Sequence, residues 1–135
     1  MKFLAMVWLV TSLSASAQDS PPYRACNKNA KTQMEMNACA TQEADRVDAD
    51  LNGIYHKVLA AAAGDQSAVA KIKTAEKAWI VYRDAYMDAM YPADDKQAEY
   101  GSIYPMEEEL LRAKLTQRQV VALSELWKQY RTQGD

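Results

Sequence analysis

The chain has 135 residues, 49% of them hydrophobic and 25% charged, with a formal net charge of −2. That length holds one domain with a modest core. The slight acid excess excludes a nucleic-acid binder, which concentrates positive charge, and is compatible with a basic partner.

Residues 1–17 read as an export signal. Lys2 supplies a positive start, Phe3 to Leu13 is apolar, and Ala15-Ser16-Ala17 has the small-x-small form that signal peptidase accepts. The apolar stretch falls far short of the ~20 residues that a membrane span needs, so no membrane anchor is expected. Tyr23-Arg24-Ala25 before Cys26 is also unlike the small, apolar context of a lipoprotein site. The expected destination is the periplasm or the medium. Residues 18–31 are polar and contain Pro21-Pro22, so they are expected to form an irregular lead-in to a single domain over 32–133.

Thr32-Gln33-Met34-Glu35 is a capping box and predicts a helix start. Met36, Ala40, Glu43, Val47, Leu51, Ile54 and Val58 then recur in alternating threes and fours, and the helix is expected to run to about Ala63, before Gly64-Asp65. Gly53 is a candidate bend. Asp65 or Ser67 caps a second helix, whose seam is Val69, Ile72, Glu76, Trp79, Arg83, Tyr86 and Met90. It ends near Tyr91, and Pro92 to Gly101 is expected to be a polar, acidic connection. Ser102 or Tyr104 starts a third helix, with Pro105 in the first turn and Glu107 to Glu109 favourably placed against the helix dipole. Thr116-Gln117-Arg118-Gln119 resembles another capping box, which either restarts the chain as a fourth helix or decorates a continuing one. Val120, Leu123, Trp127 and Tyr130 form the last apolar face. The fold class is therefore all-α: a small bundle built on a long antiparallel helical hairpin, with one or two further C-terminal helices.

Cys26 and Cys39 are the only cysteines. Behind an export signal they are expected to form a structural disulfide that ties the lead-in onto the first long helix, with a stabilisation of about 3 kcal/mol. Their spacing matches neither a CxxC redox motif nor a metal site with His56.

If the two long helices fold back around residue 65, Asp48 faces Arg83. A lone guanidinium on an apolar seam is costly, and a carboxylate opposite it resolves the problem; Glu43 and Glu76 are the substitutes. Arg83 is then either half of an internal ion pair or a ligand-binding residue. Asp48, Asn52 and Tyr55 form a polar stripe beside the core seam, suited to hydrogen bonding within the bundle or with a partner. Trp79 and Trp127 stand at core spacing. A single histidine, no serine or cysteine with an activating neighbour, no Gly-rich loop and no zinc or EF-hand spacing leave no basis for an enzyme, a cofactor or a metal.

Three blocks carry a family resemblance: Cys26 with Thr32 to Ala40, Asp48 to Tyr55, and Ala78-Trp79-Ile80-Val81-Tyr82-Arg83-Asp84-Ala85. Together with Gly101-Ser102 and Leu115-Thr116 they resemble the LprI-type lysozyme-inhibitor family. The resemblance implies an exported helical domain and a protein partner, with a lysozyme as the family's namesake target. An envelope structural, stress or immunity-like protein without lysozyme contact is the alternative. Two departures stand out. A second cysteine pair common in the family is replaced by Met87 and by Leu110 or Leu111, and the arginine usual three residues past the threonine is Gln119, with Arg118 one place early.

Overall fold

The computed structural model describes residues 19–133, so the expected export signal lies outside the described residues. The chain forms α1 (Pro21–Asn29), α2 (Gln33–Ala61), α3 (Gln66–Met90), α4 (Lys96–Tyr100), a single 3-10 turn (Gly101–Ile103) and α5 (Tyr104–Gln133). No strand occurs among the described residues, and the bundle is all-α.

The lead-in is not irregular. Ser20 accepts a hydrogen bond from the Tyr23 backbone N–H at 3.2 Å, and the two prolines occupy the first turn, where no intrahelical donor is missed. The feature that reads as a helix breaker is thus a helix start. Tyr23 turns inward and is buried beside Cys39 and Ala40.

The long helices begin where their caps predict. In α2 the Thr32 hydroxyl accepts from Glu35 N–H at 3.2 Å, while the Glu35 carboxylate accepts from Thr32 N–H at 3.0 Å. The Glu35 carboxylate also accepts from Lys31 N–H, and this bond foremost, with that from Thr32 N–H, holds the carboxyl below its ordinary range. The helix continues unbroken through Gly53. Asp65 caps α3 through Ala68 N–H at 3.0 Å. The polar, acidic connection after α3 contains a helix of its own: Asp95 caps the short α4, and Gly101 takes the single positive φ (75°) among the described residues. Tyr91 meets Tyr100 and Tyr104 edge to face across this connection, and those two rings tilt against each other, with ring centroids 5.1–5.8 Å apart. The chain does not restart at Thr116. It passes through as one helix, with Thr116 fully buried.

The most intimate helix pair is α2 with α5, not α2 with α3. Cys39 and Ala40 pack near Met106 and Leu110, Ala44 and Val47 against Ala113, and Leu51 and Val58 against Leu123. Numbers rise together on both helices, so the two run parallel. Ala40 and Ala44 are completely buried, and alanines at the contact let the axes approach closely. Helix α3 runs back between them in sequence and buries only Ala68, Ile72 and Glu76, all in its first half. Its second half leaves Ile80, Val81, Tyr82, Tyr86 and Met90 exposed.

Candidate functional site

The residues singled out in the sequence come together, but not as a pair of opposed charges. Asp48, Asn52 and Tyr55 of α2 and Arg83 of α3 all line one open groove of about 380 Å³. Leu51, Trp79 and Ile80 supply its apolar surface, and Lys73, Glu76 and Lys77 the rest of its polar lining. The four-and-three spacing on α2 puts Asp48, Asn52 and Tyr55 on one side of that helix, and Arg83 reaches the same groove one turn beyond Trp79 on α3.

Asp48 does not pair with Arg83. Its carboxylate accepts a hydrogen bond from Nη1 of Arg112, on α5. The same guanidinium reaches Glu109 at 2.6 Å and Asp45 at 3.5 Å, so one cation gathers three carboxylates across the α2–α5 seam. Arg83 is satisfied locally: its guanidinium contacts the neighbouring Asp84 at 2.9 Å and lies 5.2 Å from the centroid of the Trp79 ring. The difference has a packing cause. A close α2–α5 contact turns Asp48 toward α5, while an arginine stacked on a tryptophan needs no carboxylate from another helix.

The substitute partners are engaged elsewhere too. Glu43 accepts from the Ser20 hydroxyl at 2.7 Å and is gripped by both Nε and Nη2 of Arg46, at 3.0 and 2.8 Å. Those bonds, the Arg46 ones foremost, hold the Glu43 carboxyl below the usual carboxylate range. Glu76 is only 7% exposed, and Gln119 Nε2 donates to it at 2.8 Å. Burial, with the Glu76 charge as a lesser cause, pushes the Tyr55 hydroxyl above its ordinary pKa.

Cys26 and Cys39 form a disulfide with their Cα atoms 5.7 Å apart, joining α1 to α2. A second groove, about 450 Å³, lies among α1, α2 and α5, between Tyr23, Val47 and Leu111 with Arg46, Lys114 and Arg118 at its rim. Sequence reasoning missed it, together with Arg112 and Gln119. Arg112 stands three residues past Glu109 on a helix, and that spacing was its visible signal. Among the described residues no three His, Cys, Asp or Glu side chains are grouped to hold a metal ion. No helix of the described residues is long and apolar enough to cross a membrane.

Both grooves are open and mixed in charge. A family profile described as lysozyme inhibitor LprI matches residues 25–123, which takes in the second half of α1, the disulfide, the whole α2–α3 groove and the first two-thirds of α5. The chain belongs to the LprI family. This LprI-family chain is also similar to a protein of Rhizobium meliloti (strain 1021) named uncharacterized protein R02472, 33% identical over 87% of this chain and 89% of that protein. No solved structure matches it. The family is one of inhibitors rather than enzymes, which agrees at that level with the reading of the sequence as a binding protein.

Proposed function

We propose that this protein is an exported binding protein, periplasmic or secreted, that shields its surroundings from a lysozyme-type enzyme by occupying it. The observation that carries the reading is the family match over residues 25–123. Three physical features support it. The disulfide joins the N-terminal helix to the bundle and presents a rigid surface, which lowers the ordering cost of binding. The α2–α3 groove offers Trp79, Tyr55 and charged groups of both signs, the residue types that anchor protein interfaces. The chain's acid excess favours encounter with a basic enzyme.

Turbidity of a cell-wall suspension digested by lysozyme tests the reading directly. Excess purified protein with its disulfide intact is expected to slow clearance. Clearance at the unhindered rate against animal-type, invertebrate-type and bacteriophage-type lysozymes alike would remove the inhibitor assignment.

A further inference from the structure

The groove among α1, α2 and α5 has an apolar floor and a basic edge. The Tyr23 ring, Val47, Leu110, Leu111 and Ala113 make the floor. From Leu110 to Arg118 the lining follows α5 for about two turns, a run of about 12 Å. Val47 and Ala113 are also core residues of the α2–α5 seam, so the floor is set by the fold itself. Tyr23 is held three residues from Cys26, whose disulfide joins α1 to α2. At about 450 Å³ the space lies toward the small end of ligand sites, ~300–1,000 Å³, room for one hydrocarbon chain and not two.

Hydrogen-bond donors around this floor have no acceptor in the molecule. Lys114 and Arg118 stand one turn apart on α5, both exposed, and neither forms an ion pair among the described residues. No acidic residue lies three or four positions from either, so α5 offers them no partner of its own. Tyr23 is only 5% exposed, yet its hydroxyl makes no hydrogen bond among the described residues. Burial foremost, then the charges of Asp19 and Glu43, pushes that hydroxyl above its ordinary pKa, so it keeps its proton and can donate. Of the two carboxylates on the lining, Glu43 is committed to Arg46 and Ser20. Asp19 is exposed on the α1 side and opposes part of the positive charge. Unused donors above a hydrocarbon floor match a ligand that is anionic at one end and apolar along the rest. We infer that this groove binds a single-chain acyl carboxylate, its chain along the floor and its headgroup at Lys114 and Arg118. The two oxygens of a carboxylate suit the fork of the Arg118 guanidinium.

Isothermal titration calorimetry of the disulfide-intact protein with decanoate, kept below its micelle concentration, measures this. Saturation at one decanoate per chain is expected. Affinity should rise about two- to fourfold per methylene from octanoate to dodecanoate, the upper figure being that of full burial. Decanol has the same chain without the charge and should bind about tenfold more weakly or worse. Lys114→Glu combined with Arg118→Glu should abolish decanoate binding, whereas Asp19→Asn should strengthen it about twofold. Circular dichroism melts establish that these variants are folded, which exposed positions permit. The absence of saturable decanoate binding overturns the inference. Equal binding of decanol, or decanoate binding that survives the double substitution, overturns it as well. Amide chemical shifts on adding decanoate should move at Tyr23, Val47 and Leu111. Shifts centred on Val81 and Tyr82 would place the chain on the exposed side of α3 and refute the groove.

Discussion

Arg112 decides how the polar residues of this molecule are shared. Sequence spacing makes Asp48 legible as an inward-leaning carboxylate but leaves its partner open, because the partner depends on which helices touch. A guanidinium that holds Asp48, Glu109 and Asp45 offsets the mutual repulsion of three like charges as well as satisfying one. Arg112→Met is expected to destabilise the fold by about 1–2 kcal/mol, within the range for removing one charged partner of a part-buried network. A double-mutant cycle in chemical denaturation should show coupling between Asp48 and Arg112 and additivity between Asp48 and Arg83. Coupling of the second pair and none of the first would reverse the assignment. Tyr104 gives a pH signature. Burial, assisted by the nearby Glu108 carboxylate, pushes its hydroxyl up to about 12, above the unfolded value of about 10. The unfolded chain therefore loses this proton first. The corresponding stability is complete below pH 10 and disappears as the pH rises toward 12. Tyr104→Phe should flatten that part of the stability–pH curve relative to the unmodified chain; parallel curves from pH 10 to 12 would contradict it.

Element by element, the sequence showed where helices begin better than it showed which helices meet. Thr32 with Glu35, and Asp65, mark helix starts through local hydrogen bonds, and local chemistry is visible in a string of letters. The start of α1 was missed because two prolines in a polar stretch read as a loop, although Ser20 before them is a cap. The pairing of α2 with α5 was hidden for a different reason. Ala40, Ala44 and Ala113 contribute little hydrophobicity, so their value lies in what they allow, a close approach, and that depends on another helix being present. Ala44→Leu should therefore be severe for so small a change: a loss of at least 1–3 kcal/mol from overpacking, read from the denaturation midpoint. A comparable leucine at exposed Ala78 should cost little stability. The disulfide belongs to this scale too, since it joins two elements. Replacing Cys26 and Cys39 by alanine is expected to cost about 3 kcal/mol and to make α1 the first segment cut by protease. Cleavage beginning elsewhere would mean that α1 is held chiefly by Tyr23.

For the molecule as a whole, the candidate surfaces share helices: α2 lines both grooves, and α3 lines one of them and leaves Val81 and Tyr82 exposed. The α2–α3 groove holds the residues that the sequence had already grouped: spacing on α2 gives Asp48, Asn52 and Tyr55 a shared face, and Arg83 joins them from α3. The outer strip of α3 could not be separated from core in the sequence, since exposure of Val81 and Tyr82 depends on how little of α3 the bundle covers. If the partner is a basic enzyme, the association rate should fall as salt rises from 50 to 500 mM while the dissociation rate changes little, measurable by biosensor. A salt-independent association rate would show that steering by the acid excess plays no part. The parallel α2–α5 seam also governs how the chain can fold during biosynthesis. Its two halves are separated in the chain by the whole of α3, so nothing emerging early from the ribosome can complete the core. The nascent polypeptide stays open until α5 has been made. A stop codon ahead of α5 would yield no smaller version of this protein, only an unfolded fragment left to the quality-control proteases.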